Sequence, residues 1–299
     1  MDVSIIIVNY NTISFLTNAI DSIFEQTKDI EYEIIVVDNN STDNSNNILT
    51  EKYGDKVIFI ALSENIGFGR ANNEAAKIAK GKNLFFLNPD TVLLNNAVKI
   101  LSDYLDDNPK AGCCGGNLYD KDEKPTLSFY RFFIPSIFEE INELLFKIPE
   151  KVLFLNNAYF NYTNKPLNVA YITGADLMIK KELFVVLNGF NTDFFMYYEE
   201  TELEYRLMKI NYLIISVPFA KIIHYEGKSF INNAEKLKKL FISRSIILNK
   251  KYNNATIKII NYLFYLRIKS RLLFFTILNN KKKITLWSEF NKQFALFGF

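Results

Sequence analysis

Two aspartates, a run of glutamates and a single histidine are the residues of this 299-residue sequence whose types and spacing could do chemistry. Asp38 directly follows the apolar run Ile34 to Val37 in VVDNNSTDNS, so its carboxylate should stand at the carboxyl edge of a strand. There it can accept a hydrogen bond from a nucleobase imide or a ribose hydroxyl, or close an Asx turn, and the residue alone leaves both open. LFFLNPDTVLL delivers Asn88, Pro89 and Asp90 to the same edge. Proline ends the ladder and fixes φ, and a carboxylate so held suits Mg2+ or Mn2+, which keep their other positions for water and phosphate oxygens. One carboxylate is not a metal site, and a Pro-Asp turn is the plainer account. Glu199, Glu200, Glu202 and Glu204 crowd into six residues. On a helix Glu200 and Glu204 share a face, as do Glu199 and Glu202, and mutual repulsion raises carboxylate pKa values toward those of a general base; a solvated acidic helix is the commoner case. His224, the only histidine, reads as a metal ligand, a phosphate contact or a structural residue.

ENIGFGRANNEAAK sets Gly67, Gly69 and Arg70 at a helix start. A dinucleotide fingerprint is excluded, because Asn72 replaces the third glycine and the segment follows a third strand. What remains is a close approach of backbone to ligand beside a cation, with Arg70 reading equally as a phosphate contact or a solvated helix face.

These residues need a scaffold. Ile5 to Val8, Ile34 to Val37, Val57 to Leu62 and Leu84 to Leu87 are continuous apolar runs, the pattern of strands buried on both faces. Phe15, Leu16, Ala19, Ile20, Ile23 and Phe24 recur at helical spacing after the caps Thr12 and Ser14. Ser41 is expected to cap a second helix ending at Gly54, and Arg70 to Lys80 reads as a third. The rhythm predicts βαβ crossovers with ligands at the carboxyl ends of the strands. Downstream, a helix is expected around Ile137 to Phe146, regular signals at Tyr171 to Ile179 and Tyr212 to Val217, and an acidic helix over FFMYYEETELEYRLMK.

Composition narrows the class. The adjacent Cys113 and Cys114 exclude a disulfide scaffold and a zinc finger. The start MDVSIIIVNYN lacks the basic residues and length of a secretory signal, and no window reaches the ~18 apolar residues of a membrane span. Net charge is +2, yet residues 1–227 hold 20 basic and 31 acidic side chains, whereas residues 228–299 hold 15 and 2. The cytoplasm is the expected compartment.

In order, VSIIIVNYN, VVDNNSTDNS, NIGFGRANN, LNPDT, ITGADLMIKKELF, GFNTDFFMYYEETEL and HYEGKS resemble glycosyltransferase family 2, particularly its rhamnosyltransferase-like branch, over roughly residues 3–230. The resemblance implies an α/β GT-A fold, a Rossmann-like, mostly parallel sheet flanked by helices. Residues 1–227 form its catalytic domain, with a nucleotide-binding part to about 110 and an acceptor-binding part over about 111–227. It implies inverting transfer of a sugar, with a lean toward rhamnose, from a dTDP- or UDP-linked donor to a glycan or polyprenyl-diphosphate-linked acceptor in surface polysaccharide synthesis. Carried over residue by residue, it gives Asn9, Asn11, Asp38, Asn65, Gly67, Arg70 and Asn88 to the nucleotide. Asp90 and His224 fall to Mg2+ or Mn2+, Glu200 is the base, and Gly174, Ala175, Asp176 and Glu199 go to the acceptor. Asn88 and Glu200 stand where many members carry aspartate. A catalytically silent nucleotide-sugar-binding scaffold and a sugar-phosphate nucleotidyltransferase are the rival readings.

Residues 228–299 read as a basic, amphipathic helical extension. Leu263, Leu266, Ser270 and Phe274 lie near one stripe and Arg267 and Arg271 on another, so the helix is expected either to lie at the inner face of the cell membrane with its basic side chains among anionic headgroups, or to pack its apolar stripe in a protein interface, on the catalytic domain or on the second subunit of a homodimer. No reading motif for nucleic acid accompanies the charge.

Overall fold

The computed structural model describes residues 1–133, 135–154, 157–225 and 234–297. In chain order its elements are β1 (Val3–Asn9), α1 (Ile13–Gln26), β2 (Tyr32–Asp38), α2 (Ser45–Tyr53), β3 (Ile58–Ala61), α3 (Phe68–Ile78), β4 (Asn83–Leu87), β5 (Thr91–Leu93), α4 (Ala97–Asp107), β6 (Ala111–Tyr119) and β7 (Phe129–Tyr130). There follow α5 (Ile137–Leu144), α6 (Ile148–Phe154), β8 (Leu167–Asn168), β9 (Tyr171–Ile172), β10 (Asp176–Lys180), α7 (Lys181–Val186), α8 (Glu199–Lys209), β11 (Leu213–His224), α9 (Ala234–Lys251), α10 (Asn254–Ile277) and α11 (Lys281–Leu296).

These elements form two compact units. The first comprises Met1–Arg131, Asn156–Phe195 and Glu199–Glu226. Its sheet runs β3-β2-β1-β4-β10-β6-β11-β5, with β8 also on β11. β1 to β4 are parallel, β10 is antiparallel to both neighbours, and β6 and β11 are parallel. Alternation along each strand feeds two cores. Ile5, Ile7, Ile34 and Val36 face Leu16, Ile20 and Ile23 of α1 and Leu101 and Leu105 of α4. Ile6, Val8, Ile35 and Val37 face Ala71 and Ala75 of α3 and Leu203 and Leu207 of α8. A both-sided sheet therefore needs the unbroken apolar runs seen in the sequence. Cys113 and Cys114 are buried, free thiols in β6.

Register sets the functional edge. Asn9 pairs with Asp38 and Asp38 with Ala61, so β1, β2 and β3 end level. The antiparallel β10 starts where β4 stops, with Asp176 opposite Leu87. β11 ends beside the start of β5, with His224 opposite Thr91.

The second unit comprises Phe132–Leu155, Met196–Tyr198 and Gly227–Phe299. Residues 132–155 and 196–198, read from the sequence as part of the acceptor-binding half, thus cluster with the C-terminal helices. The reason is electrostatic. Arg244 Nη2 lies 3.2 Å from Glu140 Oε1, Arg267 Nη1 3.2 Å from Glu140 Oε2, and Arg271 Nη2 donates to the Glu143 carbonyl at 2.6 Å. Arg267 and Arg271, expected on an outward basic face, are therefore largely buried against α5. Phe241, Phe264, Ile268 and Phe294 make the small core of α9, α10 and α11. The expected boundary at 227/228, and Glu226 to Ser229 of the HYEGKS motif, lie outside the described residues. Among the described residues no helix is long and apolar enough to cross a membrane.

Candidate active site

At the tips of β1 and β2 a polar cluster replaces the apolar core. Asn9 Nδ2 donates to Asp38 Oδ1 at 2.8 Å, to Ser45 Oγ at 2.8 Å and to Ser41 Oγ at 3.1 Å. Asp38 Oδ2 accepts the Ser41 N–H at 2.9 Å, the turn that the sequence offered as an alternative. Each carboxylate oxygen retains a second lone pair for a ligand donor. Ser41 caps no helix: its hydroxyl serves Asn9 and the Asn11 N–H, and α2 begins later, after Asn44 in the left-handed region. Asn11 Oδ1 takes the Thr42 N–H at 2.7 Å. Asn65 Oδ1 takes Asn39 Nδ2 at 3.0 Å and the Gly67 N–H at 3.1 Å, tying the start of α3 to the same edge.

Gly67 has φ +91°, and a Cβ there would stand 2.4 Å from the Phe195 carbonyl oxygen, which receives the Phe68 N–H at 2.9 Å. The close approach it permits here is to another backbone segment. Arg70 Nε and Nη2 both donate to the Thr192 carbonyl, at 2.9 and 2.6 Å, so its guanidinium pins that loop.

Beyond β4, the Asn88 N–H donates to the Ala175 carbonyl at 2.9 Å and the Thr91 hydroxyl to the Asn88 carbonyl at 2.7 Å. The Tyr225 N–H on the Asp90 carbonyl brings Asp90 beside His224, with Asp90 Oδ1 3.3 Å from His224 Nε2. Asp90 and His224 thus offer a carboxylate oxygen and an imidazole nitrogen side by side. No group of three or more His, Cys, Asp or Glu among the described residues could hold a metal. An oxygen and an imidazole nitrogen with the remaining positions left to water and phosphate suit Mn2+ or Mg2+ bound together with a diphosphate.

The glutamates divide their work. A Cβ on Gly174 would lie 3.5 Å from Cγ and 3.6 Å from Cδ of Glu200, so the glycine borders that carboxylate. Burial pushes Glu200 up to about 7, against the lowering pull of its own and the Thr201 backbone N–H at the start of α8. Glu199 is buried and raised well above the usual carboxylate range, first by desolvation and then by Glu200. Glu204 is wholly buried and likewise raised, accepting the Ile172 N–H at 2.8 Å. Glu202 pairs with Arg206 at 2.8 Å. The acidic helix starts at Glu199 rather than Phe194 because Tyr197 and Tyr198 take φ +72° and +66°.

Two residues read as ligand-facing are wholly buried. Asn9 spends its amide nitrogen on Asp38, Ser41 and Ser45. Asp176 takes the Gly116 N–H at 2.6 Å inside the sheet, and desolvation raises it well above the usual range. Ala175 is also buried and offers its carbonyl to Asn88. Sequence reading passed over Tyr10, a half-exposed ring between Asn9 and Asn11. An aromatic immediately after a buried strand was its signal.

Comparison with known proteins bears on the family and the fold. A stretch 37% identical over 102 residues is shared with the poly(ribitol-phosphate) beta-glucosyltransferase of Bacillus spizizenii, covering 33% of this chain and 16% of that protein. The chain thus matches about a sixth of the length of that relative. The N-acetylglucosaminyl-diphospho-decaprenol L-rhamnosyltransferase of Mycobacterium tuberculosis is 24% identical over 210 residues, 66% of this chain and 67% of that one. The mannosyltransferase PcManGT from Pyrobaculum calidifontis, solved with GDP-Man and Mn2+, superposes with a TM-score of 0.61 at 15% identity, covering 99% of this chain and 86% of its own, and shows the common GT-A fold. The family model described as glycosyl transferase family 2 matches residues 4–184, and the chain belongs to that family.

Proposed function

We propose that this glycosyltransferase performs an inverting transfer from a dTDP- or UDP-linked sugar to a glycan acceptor in surface polysaccharide synthesis. The observation that carries the reading is the Asn88–Ala175 hydrogen bond. It joins the loop of Asp90 and His224 to the loop where Gly174 borders Glu200, so a charge-binding pair and a base share one sheet edge.

Asp38, oriented by Asn9, accepts a hydrogen bond from the nucleoside, and the Tyr10 ring offers a face on which its base can stack. Asp90 and His224 would hold a divalent ion, which supplies neutralisation of the departing diphosphate when bound. Glu200 accepts the proton of the acceptor hydroxyl as that oxygen bonds to the anomeric carbon, while the bond from this carbon to the diphosphate oxygen breaks on the opposite face. One displacement inverts the centre, and one base suffices because the nucleotide is already a good leaving group. The rhamnosyltransferase relative supports a rhamnosyl donor and a polyprenyl-diphosphate-linked acceptor. The test is release of nucleoside diphosphate from a panel of dTDP-, UDP- and GDP-sugars, with Mn2+ and with such an acceptor. Transfer from a dTDP- or UDP-sugar with inverted product is expected; donor binding without turnover on any acceptor favours the silent scaffold.

A further inference from the structure

In the helical unit the turn between α5 and α6 exposes Leu145, Phe146 and Ile148, and the last turns of α10 expose Leu273, Phe274 and Ile277. The Phe146 and Phe274 rings are 5.5 Å apart, so the two groups form one apolar surface. Arg271 stacks on Phe146 from within, 4.2 Å from its ring centre, and keeps that ring directed outward. Lys281, Lys282 and Lys283 follow three residues after the exposed end of α10 and are themselves exposed. They occupy the first turn of α11, where the helix dipole disfavours cations, and no carboxylate among the described residues pairs with them. The arginines of the unit are engaged by Glu139, Glu140 and Glu143, so its outward charge next to the apolar surface is carried by lysines.

We infer that this surface docks on an anionic lipid bilayer, with the apolar side chains at the acyl boundary and Lys281 to Lys283 among the headgroups. The combination decides the occupant. A neutral protein partner needs no unpaired cation cluster beside its apolar contact, whereas an anionic interface satisfies both at once. The face is not the arginine stripe expected from the sequence, and the inference stands apart from the transfer reaction, since lipid binding is read without turnover.

The experiment is co-flotation of the full chain with phosphatidylcholine vesicles and with vesicles about one-third phosphatidylglycerol. Binding to the anionic vesicles alone is expected. Replacing the three lysines by glutamine is expected to weaken partition about fivefold for each lysine and to flatten its salt dependence. Leu273→Asp with Ile277→Asp alters side chains 65% and 74% exposed, leaves the core intact, and is expected to abolish flotation. Absence of wild-type binding, or equal binding by both variants, overturns the inference. A wild-type dimer in sedimentation that Ile277→Asp dissociates, with flotation unchanged, overturns it in favour of a second copy of the chain.

Discussion

Replacing Glu200 tests the chemistry most directly, and the structure fixes what the pH profile should look like. With its pKa pushed up to about 7, the carboxylate form makes up about a tenth of the enzyme at pH 6, half at pH 7 and nine-tenths at pH 8. Because the base acts when deprotonated, kcat/KM should rise about tenfold from pH 6 to pH 8, whereas a glutamate at its ordinary pKa would leave this range flat. Glu200→Gln keeps the side-chain volume and the helix-start hydrogen bonds but removes the proton acceptor. Its kcat should fall roughly a hundred- to ten-thousand-fold while donor affinity stays near wild type. The assay is nucleoside diphosphate release under saturating acceptor, with donor binding followed separately by calorimetry. A flat wild-type profile together with a Glu200→Gln variant that still turns over would remove Glu200 from the role of base.

Gly67→Ala should cost at least about 1–3 kcal/mol, since it strains a positive φ and drives Cβ against the Phe195 carbonyl, whereas Gly174→Ala meets only ordinary contacts and should melt near wild type; equal melting temperatures would contradict the packing. Glu204→Gln tests the buried carboxyl. Its folded pKa lies above the unfolded value of about 4.3, so the native state holds the extra proton and wild-type stability should fall as pH rises from there toward the folded pKa. The variant's melting temperature should fall less over that range, and parallel curves would count against the assignment. Chelation should abolish transfer and Mn2+ restore it, with Asp90→Asn raising the Mn2+ needed for half-activation by more than about tenfold; activity indifferent to chelator would refute the metal pair.

The half built on β1 to β4 was legible because two-faced burial demands unbroken apolar runs, and Asp38 stands immediately beyond one of them and Asp90 three residues beyond another. Elsewhere local pattern misled. The regular signal over Tyr212 to Val217 belongs to a strand that continues to His224, because a register shift between Ser216 and Lys221 accommodates Pro218. The regular signal over Tyr171 to Ile179 divides into two strands at Thr173–Ala175, and that break carries the glycine bordering Glu200. The contacts of Arg70 and Arg267 were not legible for one reason. Their partners, Thr192 and Glu140, lie over a hundred residues away, and helical periodicity holds no information about them.

The pairing of Arg244, Arg267 and Arg271 with α5 also separates two kinds of sequence change. Losing Arg244 or Arg267 would strand the buried Glu140 carboxylate and threaten folding. Replacing the peripheral ammonium groups leaves that architecture alone, so the charge exposed at Lys281 to Lys283 can change without the helices being rebuilt.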